Sequence, residues 1–171
     1  MSTNFRFSVT LRRATPNDAA SIVAIWQAIA AERIYSAIDC PFTIEEERAY
    51  LQSLSEREGC FLAETTERQG VGFQSLDLWA RHIGSMSHVG QLGTFVLREW
   101  RGRGIGRQLA QHTLAFARSA GYGKTVIFVR ASNTGAQRFY ASLGFKACGR
   151  FAHQVKIDGE YDDEVLMELF L

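Results

Sequence analysis

A strand that runs into alternating glycines and straight out into a helix admits few folds. This chain has one at Phe95-Val96-Leu97-Arg98-Glu99-Trp100-Arg101-Gly102-Arg103-Gly104-Ile105-Gly106-Arg107. The amides of a helix's first turn have no carbonyl partner inside the helix and carry partial positive charge. Glycines let an anion approach those amides closely. Arg101, Arg103 and Arg107 add charge around the opening. The segment therefore reads as a pyrophosphate-binding turn. A Walker loop is excluded because no Gly-Lys-Ser/Thr follows. A dinucleotide fingerprint fits poorly, since the third glycine comes one residue early and no acid occurs before Asp158. The plainer reading, a tight turn with solvated arginines, is hard to reconcile with three glycines amid four arginines.

Charge along the chain points the same way. Residues 100–157 hold ten Lys and Arg and no acid, whereas residues 158–171 hold six acids and no base, so a net charge of +1 hides a strong asymmetry. Such a run reads as an anion-binding surface, or as a basic face paired with the acidic tail, and both can hold at once. Nucleic acid is not an expected partner, because the net charge is near neutral and no recognition motif is present.

With 171 residues, 46% apolar and 22% charged, and with no repeat or linker, the expectation is a single domain over 1–171. The segment Met1–Arg6 lacks the apolar stretch of a secretory signal, and Ala19–Ala31 is too short to span a bilayer. Cys40, Cys60 and Cys148 match neither a disulfide framework nor a zinc site. The cytoplasm is the expected location, with no metal and no membrane partner.

Periodicity supplies the elements. Phe7–Arg12 alternates as a strand. Thr15-Pro16-Asn17-Asp18 opens a helix whose buried stripe is Ala19, Ile22, Val23, Trp26, Ile29 and Ala30. Thr43-Ile44-Glu45-Glu46 is a capping box for a second helix to about Arg57. Strands follow at Cys60–Thr65, Gly70–Trp79 and His88–Leu97. A long helix runs from Gly104 to about Ala120, with Ile105, Leu109, Thr113, Phe116 and Ala120 on one face. Thr125–Val129 has the continuous apolar run of a central strand. A short helix carries Ala136, Phe139, Tyr140 and Leu143, and Asp158-Gly159 turns a final hairpin. The fold class is α/β, a mixed sheet with helices on both faces.

Arg101-Gly102-Arg103-Gly104-Ile105-Gly106 resembles the R/Q-x-x-G-x-G/A signature of the GNAT superfamily of acyl-CoA-dependent N-acyltransferases. Asn133, after the central strand, and Phe139-Tyr140-Ala141-Ser142-Leu143-Gly144-Phe145 match two further segments of that family in register. The resemblance spans residues 8 to 171. It implies a mostly antiparallel sheet of about seven strands, split between its central strands and flanked by about four helices. It also implies acetyl-CoA as co-substrate. Phe95, Val96 and Leu97 would lie along the pantetheine and thioester. The backbone of Gly102, Arg103, Gly104, Ile105, Gly106 and Arg107 would hold the pyrophosphate, with Asn133 and Tyr140 nearby. Members are often dimers, so a homodimer is an expectation that no motif here decides.

The implied reaction is attack of a neutral amine on a thioester. Tyr140 takes the family's acid role toward the leaving thiol; outside the motif it would read as a packed aromatic. The family's glutamate base corresponds to Phe128. Glu32, Asp39, His88 and Glu99, or a water chain to a distant group, are the remaining candidates, and none is assigned. Tyr35, Asp39, Phe42, Tyr161, Asp162 and Asp163, with the segment Trp79–His88, are the candidate acceptor-site residues. The expected activity is direct transfer to a primary amine of a small molecule or amino acid. The alternatives are a protein N-terminus or lysine as acceptor, and a non-catalytic acyl-CoA sensor.

Overall fold

A computed structural model describes residues 8–171. Phe7, and with it the start of the first expected strand, lies outside the described residues, as does the N-terminal segment Met1–Arg6. The elements are β1 Thr10–Arg13, α1 Ala19–Ala31, α2 Ile44–Ser53, β2 Gly59–Glu64, β3 Gly70–Leu78, β4 Val89–Val96, α3 Ile105–Ser119, β5 Lys124–Arg130, α4 Thr134–Ala141, β6 Lys146–Ile157 and β7 Glu160–Phe170. The strand order is β1-β2-β3-β4-β5-β7-β6. Every neighbouring pair is antiparallel except β4 and β5. No described helix is long and apolar enough to cross a membrane.

Local chemistry explains the element boundaries. Ahead of α1, Pro16–Asp18 forms a separate 3₁₀ turn, with the Asp18 carboxylate accepting from the Thr15 amide at 2.8 Å. Arg12 pairs with the same carboxylate and holds its pKa down at about 2. All six expected α1 positions are buried, and Ile25 joins them. The Thr43–Glu46 capping box forms, but α2 stops at Ser53 rather than near Arg57. The reason is Glu58. This buried carboxylate accepts from the Ser55 and Leu78 amides and pairs with Arg81, so residues 55–58 fold into a turn instead of another helical one. Asp158 and Gly159 have φ of 53° and 88°, as a two-residue hairpin turn requires.

Two large clusters and a smaller one, with Ile105 and Leu109 of α3 against Phe61, Ala63 and Val71, make up the described core. One large cluster packs Ile22, Ile25, Trp26 and Ile29 of α1 and Leu51 of α2 against Leu62 and Phe73. The other large cluster packs Leu114 and Ala117 of α3 and Tyr140 of α4 against Leu76, Leu92, Ile127 and Met167. The expected face of α3 is buried at Ile105, Leu109 and Thr113 and half-buried at Phe116 and Ala120, and it widens to take in Ala110, Leu114 and Ala117.

The parallel pair matters most. β4 and β5 pair only at Val89–Gln91 with Lys124–Val126. Beyond Gln91 the strands part. The edge of β4 from Leu92 to Val96 pairs with β3 on one side and has no strand on the other. Strand twist alone does not part neighbours this way. Tyr140 of α4, which is buried, borders the space that opens there.

Candidate active site

Two cavities open along that split. The first, about 570 Å³, runs from the glycine loop past Val96 and Phe95 to Tyr140. The second, about 590 Å³, lies on the α1–α2 side and is lined by Phe42, Glu47, Tyr50, Asp77, Phe128 and Glu164, among others. They share Tyr35, Thr94, Phe95, Asn133, Ala136 and Tyr140. The two spaces therefore meet where β4 loses its partner.

The loop end of the first cavity is built from backbone. Gly102 and Gly104 have φ of 71° and 81°, the left-handed region that a side chain strains. A Cβ at either would meet nothing within 4 Å, so both face open space. The first-turn amides of α3, at Ile105, Gly106 and Arg107, have no helical carbonyl to bond. Gly102, Gly104, Ile105, Gly106 and Arg107 all line the cavity.

Several expected residues do other work. Arg103 does not line the cavity; its guanidinium lies over the Trp100 ring, 5.2 Å from the centroid. Arg101 makes a two-pronged pair with Glu32, at 2.8 Å for one prong, and donates to the Val96 carbonyl. It ties the loop to the end of α1, so its charge is already matched. Leu97 lines neither cavity, and its amide donates to the Val71 carbonyl at 3.0 Å, on the β3 side. Asn133 lines both cavities and caps α4, accepting from the Ala136 amide at 3.0 Å. The acidic tail neutralises part of the basic run, through Lys124–Glu168, Arg130–Asp162 and Arg150–Asp163.

Tyr140 is buried between Phe139 and Phe145, with ring centroids at 5.0 and 5.5 Å. Burial pushes its hydroxyl above the ordinary phenol value, and a hydrogen bond with Thr94 pulls it back down in part.

None of the four base candidates lies in either cavity. Glu32 is held by Arg101; Asp39, His88 and Glu99 are exposed away from the lining. The hairpin acids also have structural partners. Asp162 holds Arg130, and Asp163 holds Arg150 and the His153 amide. Tyr161 stacks on His153 outside the cavity. Trp79 backs the cavity only indirectly, stacked on Phe128 at 5.6 Å, and the rest of Trp79–His88 is absent from the lining.

The carboxylates that do line the second cavity are not among those expected from the sequence. Glu47 is buried. Its carboxyl is pushed up to about 7 by burial, against a hydrogen bond with Trp26, and further by repulsion from Asp77. Asp77 is raised by burial, countered by hydrogen bonds from Tyr50, at 2.9 Å, and from Ser75. Glu164 is raised by burial and by Asp162. Among the described residues, the one basic side chain in the lining, Arg130, is bound to Asp162. A sequence signal for Glu47 exists: it shares a helical face with Tyr50, Leu51 and Leu54, a carboxylate on an apolar stripe.

Comparison with known proteins agrees with this geometry. The family model described as "Acetyltransferase (GNAT) family" matches residues 23–145. An aminoglycoside N(6')-acetyltransferase type 1 of Stenotrophomonas maltophilia is 31% identical over 148 residues, 84% of this chain and 90% of that one. A phosphinothricin acetyltransferase from Sinorhizobium meliloti, solved in complex with acetyl-CoA, superposes with a TM-score of 0.87 at 18% identity, over 95% of this chain and 88% of that one. A ribosomal-protein-alanine N-acetyltransferase from Brucella melitensis superposes with the same score at 24% identity, over 95% and 99%. The acceptors in these names are an aminoglycoside, phosphinothricin and a ribosomal-protein alanine.

Proposed function

Because the chain belongs to the GNAT acetyltransferase family and uses acetyl-CoA as co-substrate, we propose that it transfers the acetyl group directly to the primary amine of a small cationic molecule held beside Glu47 and Asp77. The observation that carries this reading is the meeting of the two cavities at Thr94, Phe95 and Tyr140. One cavity takes the donor and the other the acceptor.

On the donor side, the amides from Gly102 to Arg107 take the pyrophosphate, and the unpaired edge of β4 takes the pantetheine. Leucine in place of Gly104 would need the strained left-handed backbone, at a cost of ~1–3 kcal/mol, which a domain stable by about 5–15 kcal/mol survives. Its side chain would stand in the open space where the diphosphate sits. Gly104→Leu is therefore expected to lose CoA binding in calorimetry while its circular dichroism stays that of the parent. An unchanged Kd would reject the loop assignment.

On the acceptor side, an amine arrives protonated, with a pKa of about 10.4 for a lysine-like group. Glu47 takes that proton, and the freed nitrogen attacks the thioester carbon. Amides on the open edge of β4 stabilise the oxygen as it gains charge. The C–S bond then breaks, the departing sulfur takes the Tyr140 proton, and the nitrogen gives up its second proton to the tyrosine oxygen, which leaves a neutral amide and restores the phenol. No described cysteine lines either cavity, and the Cys148 thiol is pushed up by partial burial and by Glu168, so a covalent acetyl-enzyme route has no nucleophile here.

The acceptor cavity has carboxylates and aromatic rings and no uncommitted cation in its described lining, so a second positive charge is favoured and a carboxylate or phosphinate is not. A thiol-release screen with acetyl-CoA tests this. Polyamines and amino sugars are expected to be turned over, with neutral amines slower and amino acids slowest. Preference for amino acids or peptides would overturn the acceptor class. Tight acetyl-CoA binding without thiol release for any amine would make the chain a sensor.

A further inference from the structure

Gln74 is a polar side chain buried completely inside the sheet, and the catalytic scheme above does not use it. It lies on β3 directly opposite Thr94 of β4. Its Nε2 donates to Thr94 Oγ1 at 2.5 Å, and its Oε1 has no hydrogen-bond partner. An orphaned buried carbonyl is costly, about 1–3 kcal/mol. Two apolar residues at this cross-strand pair would avoid that cost, and the surroundings at Leu76 and Leu92 are already apolar. Thr94 in turn lines both cavities, as Tyr140 does.

The direction of the bonds gives the pair a role. A hydroxyl has one proton to donate. Thr94 Oγ1 has a second lone pair, so the bond from Gln74 turns the Thr94 proton away from Gln74 without by itself choosing its acceptor. Tyr140 lines the same shared space, and where Thr94 donates to Tyr140 Oη, the tyrosine's own proton is left for that space. With the bonds reversed, Tyr140 would donate to Thr94 and its proton would be locked into the sheet.

We propose that Gln74, acting through Thr94, is a positioning residue that fixes the hydroxyl of Tyr140 as a donor toward the departing thiol. The inference rests on Tyr140 being the acid of the proposed reaction. The same Thr94 bond favours the phenolate as it forms, which offsets part of the acidity that burial removes.

A double-mutant cycle on kcat tests it. Gln74→Leu and Thr94→Val are each expected to lower kcat roughly 10-fold, the worth of one hydrogen bond in the transition state, with KM for acetyl-CoA changed less than about twofold. Thr94→Ser keeps the hydroxyl and is expected to restore the rate. In a Tyr140→Phe background, Gln74→Leu and Thr94→Val should change kcat by less than about twofold, because the group they orient is gone. Equal losses in both backgrounds would make the pair merely structural and overturn the proposal, as would no loss in either. If Gln74→Leu does not fold, Thr94→Val with its serine control decides between the same two outcomes. A wild-type rate for Tyr140→Phe alone would instead remove the acid role of Tyr140, and the positioning role with it.

Discussion

Phenylalanine at position 140 is expected to lower kcat by about 10²–10⁴ while leaving the Kd for acetyl-CoA nearly unchanged. The substitution removes one oxygen and keeps the ring between Phe139 and Phe145, so packing of α4 on β5 should survive. What is lost is the proton for the departing sulfur. A thiolate with a pKa of about 8.5 leaves poorly into a buried cavity where water cannot solvate it. Burial holds Tyr140 protonated well above neutrality, so its own titration should impose no fall in rate across ordinary assay pH. A steady-state thiol-release assay reads the change directly, and a rate equal to the parent's would exclude Tyr140 as the donor.

The donor half of the site was more legible in the sequence than the acceptor half, for a physical reason. A glycine turn that opens a helix is local: its glycines, its helix start and its positive φ values all lie within one short segment, so adjacent residues announce it. A split between the central strands and the approach of Tyr140 were expected from motifs in register through the family resemblance, whereas the strand order and the parting after Gln91 came only with the structure. Arginine roles were less legible. Arg101, Arg103 and Arg107 look alike in sequence, yet Arg101 is bound to Glu32 and Arg103 lies over Trp100, whereas Arg107 lines the donor cavity. The acceptor half draws Glu47 from α2, Asp77 from β3 and Glu164 from β7. No single segment carries that signal, and the adjacent acids Asp162 and Asp163, more conspicuous in sequence, are consumed in ion pairs. Phe128, which stands where relatives can carry a glutamate, is half-buried against Trp79 and leaves the base to come from another element.

Glutamine at position 47 should separate activity from stability. Glu47 faces the Trp26 indole from α1, Tyr50 on its own helix, and Asp77 from β3; Glu164 and the Asp162-bound Arg130 lie across the cavity. Burial lifts the Glu47 carboxyl to about 7. As the acceptor of the ammonium proton it works only when ionised, so the parent's kcat/KM should rise with pH through about 7. Glu47→Gln should lower kcat/KM by about 10²–10⁴ and abolish that limb. Stability should move the other way. The carboxyl is raised from 4.5 unfolded to about 7 folded, so its contribution is fully present below 4.5 and is lost as pH rises through 7. At pH 8 the parent must bury a charge that glutamine does not carry, and the variant should be the more stable by up to about 3 kcal/mol. At pH 4 the two should melt together. A variant that lost activity by misfolding would lose both, so a higher Tm at pH 8 alongside a lower kcat/KM identifies the base. A parental rate with the pH limb intact would return that role to another group.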